Sequence, residues 1–445
     1  MKSSPQKLLI LFGLYIIFET TDYDPKIIQE LRKIENVPLN CEPVINGSEN
    51  PKIMDRLKQW THHFDFYEDK LMEAEDLCST IHQYFHFTNK SNTQEELDFP
   101  LSYGWVVYKD FVQILLQMSI LYQPQHLFCL TVDKTALKEY RRVLLELPKC
   151  FPNVHVFIGA SSDWGSFGIL ENVYTCFLFL SRQKHEWKYY QYVSGTDLPM
   201  KTNLEMVRIF KALNGSINAD VDNYEMDRKK RRWQQEPPIP LYKSSMSVAI
   251  PREAANYIIK SKKVAKLLRY LSKTWIPDES FWTSISGSPA ILPVPGSFRA
   301  KDIIWFRKNF RIPESDEKTT EFIGTSYIGR YQLWQYHRNC HGILTSESCV
   351  YGVGDIEEIV TRPELVAHKF YLSVQPAAYL CLLKEIRKRT TDPQNQLFDA
   401  KSYAEMPTVE MKNGKGVLEL THPDWLTASS FYNPEYHPID NSKFV

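Results

Sequence analysis

Two short acidic motifs have residue types and spacing that suit chemistry. Asp220 and Asp222 flank one residue, and two carboxylates spaced in this way can hold a divalent ion against a phosphate group. Glu279 lies in the segment PDESFW, where aromatic neighbours can tune a carboxylate for taking a proton from a hydroxyl. The alternatives are solvated loop acids at 220–222 and, for Glu279, an ordinary acidic residue at the start of a helix.

Two further clusters contain residue types that bind polar ligands. The run RKKRRW at 228–233 concentrates cations, which fits a binding segment, a solvated charge run or a processing site. Trp334 and Tyr336, in LWQY, fit either an exposed aromatic platform or core packing. The sequence has no Gly-rich phosphate loop, no GxSxG and no HExxH. Nucleotide binding of the P-loop or GxGxxG type, a serine esterase and a zinc protease are therefore disfavoured.

The cysteines and the glycosylation sequons indicate the secretory pathway. Eight cysteines are spread along the chain without a CxxC pair. Because zinc sites use close pairs, disulfides formed in an oxidising compartment are favoured over a metal role. Eight cysteines allow 105 pairings, among which spacing does not choose. Sequons occur at Asn46, Asn89 and Asn214, and each triplet alone is a weak signal.

The N-terminus has the pattern of a secretory signal or a membrane anchor. Two lysines precede an unbroken apolar run, LLILFGLYIIF at 8–18, which ends at Glu19. As a helix these 11 residues cover about 16 Å, against roughly 30 Å for a bilayer core. No small-x-small cleavage site follows directly, which favours an uncleaved anchor with a cytoplasmic N-terminus. A cleaved signal peptide and a buried helix are the alternatives.

The composition of the 445-residue chain limits the classes of protein that it can be. With 43% hydrophobic and 24% charged residues the chain is globular, which excludes a disordered, collagen-like or multi-pass membrane protein. The 53 basic and 53 acidic residues give a formal net charge of zero. This balance argues against nucleic acid or an anionic membrane surface as the main partner. The aromatic content of 13% fits a large core and also sugar-stacking pockets.

Strands and helices alternate in the body of the chain, which predicts an α/β sheet that is largely parallel. Ligands of such sheets bind at the carboxyl ends of strands, so Asp133 and the turn 194–197 are expected near a site. The helix after this turn is expected to stop at Asn214-Gly215. The predicted strands are 101–108, 128–133, 154–158 and 189–193, with a fifth near 247, and the predicted helices are 112–122, 137–147, 167–180 and 203–213.

The segments outside this body are predicted to serve as anchor, stem and cover. Residues 19–98 are polar and broken, with helical periodicity around 52–59 and 67–84. The predicted organisation is a cytoplasmic tail (1–7), a signal-anchor or signal peptide (8–18), a stem and covering subdomain (19–98), a globular body (99–390) and a C-terminal wrapping segment (391–445).

Several segments appear in the order found in one known family. The longest, KYYQYVSGTDLPMKTNLEMVRIFKAL at 188–213, resembles the core-2/I-branching β-1,6-N-acetylglucosaminyltransferases, and its SGTDLPMKTNLE run is highly specific. The shorter ones are DWGS at 163–166, PDESFW at 277–282, the cysteine pair of 340–349 and YGVGD at 351–355. The resemblance covers residues 41 to 390.

This resemblance implies a fold, an activity and a compartment. It implies a GT-A-type sheet and sugar transfer from a UDP-sugar with inversion of the anomeric centre, without a metal ion. It also implies a single-pass type II Golgi membrane protein with a luminal catalytic domain, with secretion after signal cleavage as the alternative. An unpaired family cysteine falls where this chain has Ser194. The implied disulfides use all eight cysteines: Cys41–Cys381, Cys78–Cys150, Cys129–Cys176 and Cys340–Cys349.

The resemblance also implies roles for individual residues. Glu279 aligns with the general base of the family. Lys369, in AHKF, matches a lysine that neutralises the UDP diphosphate, where a fixed cation can replace a metal. Asp133 and Trp164 match residues of the uridine pocket. The implied acceptor-binding residues are Asp220, Lys229, Arg232, Trp334 and Tyr336, and this placement of Asp220 argues against a metal role for the DVD motif.

One departure from the family pattern concerns the leaving group. The family has an arginine three residues before the second cysteine of the small loop, and this chain has Ser346. Losing one cation is expected to weaken stabilisation of the transition state. Arg338 or His341 can substitute from nearby, a different donor sugar or a metal can be used, or the protein has lost activity.

The expected function is transfer of N-acetylglucosamine, or of glucose, to a hydroxyl of an O-glycan such as a core-1 disaccharide. The partners are then a UDP-sugar, an O-glycan or glycoprotein acceptor and the membrane through the N-terminal anchor, with no nucleic acid. No cofactor and no metal are expected. A xylosyltransferase-like enzyme is one alternative, and a non-catalytic glycan-binding relative, supported by Ser346, is the other.

Overall fold

The computed structural model describes residues 33–48, 50–229, 235–309, 327–335, 340–392 and 399–421. The predicted cytoplasmic tail and the apolar segment 8–18 lie outside the described residues. No helix within the described ranges is long and apolar enough to cross a bilayer. The anchor therefore stays a prediction, as do the domain limits at 98/99 and 390/391.

The strands occur where the sequence pattern places them, within one or two residues. The pattern is confirmed for every strand predicted in the body, and further short strands were not predicted. In the described ranges the strands are β1 (Leu101–Val107), β2 (Leu127–Val132), β3 (Val154–Ile158), β4 (Tyr189–Ser194), β5 (Asp197–Pro199), β6 (Asn218–Ala219), β7 (Asp222–Asn223), β8 (Tyr242–Lys243), β9 (Val248–Pro251), β10 (Tyr331–Gln332), β11 (Ile343–Thr345), β12 (Ser348–Val350) and β13 (Val366–His368).

The central sheet has six strands in the order β3-β2-β1-β4-β9-β6. The first four strands are mutually parallel, and β9 is antiparallel to both β4 and β6. Strand β2 is buried along its whole length, as expected of a parallel strand covered on both faces. The predicted α/β class with a largely parallel sheet is confirmed. A smaller sheet has the order β10-β13-β5, and two hairpins pair β11 with β12 and β7 with β8.

The helices cover both faces of the sheet, and the predicted helices of the body are confirmed. The predicted periodicity at 67–84 is divided between two helices. The described helices are Glu42–Ile45, Pro51–Lys58, Phe64–Met72, Leu77–Tyr84, Gln94–Leu97, Phe111–Leu121, Lys138–Cys150, Phe167–Arg182, Asn203–Ala212, Arg252–Ile258, Lys262–Leu271, Phe281–Ser286, Ala300–Asn309, Ile356–Ile359, Pro376–Thr391, Ala400–Ala404 and Pro407–Lys412, with 3₁₀ turns at Ile34–Asn36, Met226–Arg228, Pro277–Ser280, Val353–Asp355 and Val417–Glu419.

The helix Asn203–Ala212 shows how local sequence sets these limits. The Thr202 hydroxyl accepts from the Glu205 amide at 3.1 Å, and the Glu205 carboxylate accepts from the Thr202 amide at 2.7 Å. This capping box satisfies backbone donors that a helix start leaves open. The helix ends before Asn214 and Gly215, both of which have positive φ. The predicted stop at this pair is confirmed.

Side chains of the strands alternate between two buried clusters, one on each face of the sheet. Phe128 and Leu130 of β2 belong to the first cluster, and Leu127 and Cys129 belong to the second. The period of two residues is that of a pleated strand. The first cluster also contains apolar residues of the helices before residue 98. These helices therefore share their core with the sheet and cover one of its faces.

A carboxylate from the covering helices caps a helix of the body. Glu68 accepts from the backbone amides of Phe111 and Val112, both at 2.8 Å. These amides belong to the first turn of the helix after β1 and have no acceptor within the helix. The contact fixes the cover against the sheet.

Four disulfides close the fold. Their S–S distances are 2.11 Å for Cys41–Cys381, 2.03 Å for Cys78–Cys150 and for Cys129–Cys176, and 2.04 Å for Cys340–Cys349. These pairs are the ones that the family resemblance implies, and no cysteine is free. The first two join the covering helices to the body, since each pairs a cysteine before residue 98 with one beyond it.

Candidate active site

The carboxyl edge of the parallel strands brings together two of the predicted site elements. Asp133 follows β2, and its amide donates to the carbonyl of Val107 at the end of β1 at 3.0 Å. Gly195 follows β4, and its amide donates to the carbonyl of Val106 at 3.1 Å. The expected placement of Asp133 and of the turn 194–197 at one edge is therefore confirmed.

Asp133 is buried and acts as an anchor for neighbouring loops. One carboxylate oxygen accepts from the amide and the hydroxyl of Thr135, at 2.7 and 2.6 Å. The other accepts from the amide of Ser162 at 2.5 Å. Burial opposes ionisation of Asp133, but the hydrogen bonds from Thr135 and Ser162 outweigh it and lower its pKa. The carboxylate therefore stays charged and holds the loop after β3.

This loop carries Trp164 and joins a second loop of the site. The indole of Trp164 is 71% exposed. Gly165 has φ +74°, and its carbonyl accepts from the amide of Ile276 at 3.1 Å. This hydrogen bond places the segment that leads to Glu279 beside the loop held by Asp133.

Glu279 lies in the 3₁₀ turn Pro277–Ser280 and is half-buried. Its carbonyl accepts from the amide of Ser244 at 2.8 Å, which fixes the turn. Its carboxylate accepts from the guanidinium of Arg228 at 2.8 Å, and its side chain is 34% exposed. The candidate base thus has a fixed position and a partly exposed side chain, as a general base that must meet a substrate needs.

Arg228 is a site residue that the sequence analysis missed. It is buried, and it donates through Nε to Glu225 at 2.6 Å and through Nη2 to Glu279. Burial disfavours the charged guanidinium, but Glu279 and Glu225 outweigh that effect and raise the pKa of Arg228. Glu225 is also bonded to Lys243. The signal available in the sequence was the basic run that begins at residue 228. The predicted acceptor-binding roles, however, were given to Lys229 and Arg232 of that run.

Asp278, beside the candidate base, has no role in the predicted site and a distinctive environment. It is 3% exposed, and its Oδ1 has no hydrogen-bond partner among the described residues. Burial and, second, the charge of Glu279 raise the pKa of Asp278 to about 7. Two adjacent acids therefore differ in character, because Asp278 is enclosed and Glu279 is paired with a cation.

Lys369 reaches the same edge through the smaller sheet. It follows β13, which is antiparallel to β5 in the turn after β4, and the amide of Phe370 donates to the carbonyl of Thr196 at 2.8 Å. Its side chain is 9% exposed, and Nζ donates to the carbonyl of Thr345 at 2.9 Å. Burial lowers the pKa of Lys369. Among the described residues, its ammonium contacts a neutral carbonyl and no carboxylate, so its charge is available to an anion.

A buried ion cluster positions the strand before Lys369. Asp197 accepts from Arg330 at 3.2 Å, and its other oxygen is 2.7 Å from Nδ1 of His368. Burial opposes ionisation of Asp197, but Arg330 and His368 outweigh it and lower its pKa. Burial and then Arg330 lower the pKa of His368 to about 4. Sequence reasoning placed Asp197 near the site but did not find Arg330 or His368.

Ser346, where this chain departs from the family pattern, lies next to Lys369. Ser346 and Glu347 form the turn of the hairpin β11–β12, both with positive φ, and Ser346 is exposed. The preceding residue, Thr345, is the one that Lys369 contacts. Of the two proposed substitutes, Arg338 lies outside the described residues, and His341 is exposed with its ring against Gly354.

The predicted acceptor residues have different surroundings. Asp220 is half-buried, its carboxylate accepts from the amide of Val221 at 3.0 Å, and burial raises its pKa. Asp222 is exposed in β7. Lys229 is half-buried and directly follows Arg228.

The aromatic acceptor residues are described in part. Trp334 is half-buried and forms an isolated bridge with Ser348, next to the disulfide-closed hairpin. Tyr336 and Arg232 lie outside the described residues. The structure therefore places Trp334 near the Lys369 side and Lys229 near the Glu279 side of the region.

One group of possible metal ligands occurs among the described residues: Cys340, Cys349 and Asp355. Its two sulfur atoms are joined in a disulfide and do not provide thiolates. The sequon residues Asn46, Asn89 and Asn214 are all exposed, as acceptors of glycans must be.

Comparison with known proteins identifies the family. A family model for the Core-2/I-branching enzyme matches residues 101–360. The chain is 27% identical over 350 residues to the N-acetyllactosaminide beta-1,6-N-acetylglucosaminyl-transferase of Mus musculus, which covers 73% of this chain and 82% of that protein. It is 25% identical over 388 residues to the Beta-1,3-galactosyl-O-glycosyl-glycoprotein beta-1,6-N-acetylglucosaminyltransferase of Homo sapiens, at 80% and 86% coverage. A protein of Bovine herpesvirus 4 with that same name is 23% identical over 385 residues, at 79% and 83% coverage. Since the family model matches more than half of the chain, the chain belongs to the Core-2/I-branching enzyme family.

Proposed function

We propose that this protein is an inverting glycosyltransferase of GT-A type that transfers a sugar from a UDP-sugar to an O-glycan acceptor. The donor sugar is N-acetylglucosamine, with glucose as the alternative, and the linkage is β-1,6 to an acceptor such as core 1. Family membership and the names of the relatives support this activity. The single observation that carries the site is the Gly165–Ile276 hydrogen bond, which joins the loop held by Asp133 to the turn of Glu279.

The proposed mechanism is a single displacement. Glu279 accepts the proton of the acceptor hydroxyl, and the freed oxygen attacks the anomeric carbon as the bond from that carbon to the diphosphate oxygen breaks. The electron pair of that bond leaves with UDP. Lys369 faces the negative charge that develops on the diphosphate, and Asp133 holds the nucleoside side through its loops. Holding the donor and the acceptor in the orientation for this displacement supplies a further part of the rate acceleration.

The acceptor side is proposed to lie around the Arg228 network. Lys229, Arg232, Asp220, Trp334 and Tyr336 are the proposed acceptor contacts. Arg228 fixes the base beside them, since it bonds Glu279 and directly precedes Lys229. No metal ion is proposed, because Lys369 supplies a fixed cation.

A non-catalytic glycan-binding function is the second candidate. Ser346 favours it, because the turn beside Lys369 carries no charge at the position where the family resemblance implies an arginine. Within the enzyme class, a xylosyl donor is a further alternative. An assay that compares several UDP-sugars tests it.

The protein is proposed to act in the Golgi as a type II membrane protein. The disulfides and the exposed sequons support an oxidising, glycosylating compartment. Protease treatment of sealed microsomes from expressing cells tests this topology. A protected body with endoglycosidase-sensitive glycans is expected, and full digestion of the body would contradict the proposal.

The decisive experiment measures sugar transfer by the purified full-length chain. UDP-N-acetylglucosamine, UDP-glucose and UDP-xylose are each offered with a core-1 disaccharide, with EDTA and with manganese. Glu279→Gln is expected to lose at least a hundredfold in turnover while still binding UDP, in line with general-base catalysis. Glu171→Gln, an exposed acid on the helix after β3, is the matched control. Absence of transfer with every donor would favour the non-catalytic candidate.

A further inference from the structure

Two exposed indole rings form an open corner beside the candidate base. Trp164 is 71% exposed and Trp275 is 43% exposed. Their ring centroids are 5.3 Å apart, and the ring planes meet at 79°. Because both residues are substantially exposed, the pair presents apolar ring surface in two nearly perpendicular planes.

The backbone holds this corner in place. Gly165 has φ +74°, and a Cβ atom there would lie 2.7 Å from the ring of Trp275. The absence of a side chain therefore lets the indole of Trp275 lie directly against the turn that follows Trp164. The amide of Ile276, the next residue after Trp275, donates to the carbonyl of Gly165 at 3.1 Å. Both rings are thus set on segments that are bonded to each other.

The corner is connected to the catalytic carboxylate through one residue. The amide of Trp275 donates to the carbonyl of Arg228 at 2.9 Å, and the guanidinium of Arg228 donates to Glu279 at 2.8 Å. On its other side, the loop of Trp164 is held by Asp133. The corner therefore lies between the region proposed for the nucleotide and the region proposed for the acceptor.

The chemistry of the corner suits a pyranose ring. Neither indole N–H has a hydrogen-bond partner among the described residues. A pyranose has an apolar face of C–H groups that stacks on an aromatic ring, and hydroxyls at its edge that accept from an N–H group. Large exposed apolar groups that cluster beside a polar site indicate ligand contact more than chance exposure.

We propose that Trp275, together with Trp164, forms a pyranose-binding corner in which a sugar ring stacks on the exposed face of Trp275 next to Glu279. This inference rests on the proposed function, because the sugar is either the hexose of the UDP-sugar or a residue of the acceptor glycan. Trp275 is then a specificity-determining residue, because it selects rings with an uninterrupted apolar face.

The test compares Trp275→Ala and Trp275→Phe in the full-length chain. Trp305→Ala is the matched control, since Trp305 is similarly exposed at 45% on the helix Ala300–Asn309. KM and kcat are measured separately for donor and acceptor. Loss of the ring is expected to raise KM for one of the two about five- to tenfold with kcat within about threefold, while Phe retains most of the affinity. The substrate whose KM rises identifies the source of the sugar.

A binding measurement separates this inference from the transferase proposal. Tryptophan fluorescence is titrated with core-1 disaccharide, UDP-N-acetylglucosamine and UDP alone, without turnover. Quenching by a sugar but not by UDP alone, lost in Trp275→Ala and kept in Trp305→Ala, supports the corner even if the wild type transfers no sugar. Unchanged KM values for both substrates and unchanged quenching in Trp275→Ala would overturn it, whatever the activity of the protein.

Discussion

Arg228 donates from Nη2 to the Glu279 carboxylate at 2.8 Å, across 51 residues of sequence. The Arg228 side chain is 4% exposed, whereas the Glu279 side chain that it holds is 34% exposed. A buried cation thus aims a carboxylate that remains open to a substrate. The arrangement fixes which oxygen of Glu279 is free.

Replacing Arg228 by methionine is expected to lower kcat/KM at least tenfold. The variant loses the cation that orients Glu279, so the base is less well placed to take the acceptor proton, and the loss should fall on kcat rather than on KM. Arg228→Lys keeps the charge and should recover part of the lost kcat. Arg269→Met, on an exposed helix face, is the control. A loss of folded protein in thermal unfolding that accounts for the whole loss of kcat would indicate a purely structural role.

Restoring a cation at position 346 is expected to increase turnover. Ser346 is exposed in a turn whose preceding carbonyl is bonded to Lys369, so an arginine there would lie beside the proposed diphosphate site. Ser346→Arg should raise kcat about tenfold, because a single charge-stabilising donor is worth at least that factor in the transition state. Transfer is measured with EDTA present, beside Ser346→Gln as an uncharged control. Equal rates for Arg and Gln would show that the cation is supplied elsewhere.

The buried Asp278 is expected to make stability depend on pH. Burial raises its pKa to about 7 in the folded state, against an ordinary value of 3.8. Between these values the folded state binds a proton that the unfolded state releases, so this group makes stability fall as pH rises from about 4 to about 7. Below both values the group has no effect.

Asp278→Asn removes that dependence and is the measurement that checks it. The variant should gain stability relative to the wild type as pH rises from 4.5 to 8, by on the order of a few kcal/mol at most. Thermal unfolding of both proteins at the two pH values reports the difference in Tm. A difference in Tm that is the same at both pH values would contradict the assignment.

The strands and helices predicted in the body follow from local sequence because each of them has its own signal. The capping box at Thr202 and Glu205, and the stop at Asn214-Gly215, act within one helix. Strand β2 is buried throughout and apolar except for Thr131, and its end at Asp133 gives the edge of the sheet. The position of Asp133 was therefore predictable, whereas its hydrogen bonds to the loop after β3 were not.

The cationic side of the site shows where local sequence is insufficient. A run of five basic residues gives the same signal at each position, and only the packing shows that Arg228 is buried. The signal for Lys369 came from a family motif, since one lysine on a strand has no distinctive pattern. The ion cluster that positions Lys369 joins Asp197 to Arg330 and His368, which both lie more than a hundred residues further along the chain.

The sequence by itself determined the class of sheet, the limits of its longer strands and of the helices predicted up to residue 213, and the family, because these depend on patterns among neighbouring residues. It left the eight cysteines with 105 possible pairings, which the resemblance reduced to the set that the structure forms. Only the tertiary structure decided that Arg228 holds Glu279 and that Trp164 meets Trp275. Such contacts depend on how loops that are distant in sequence pack at one edge of the sheet. No short segment of sequence specifies that packing.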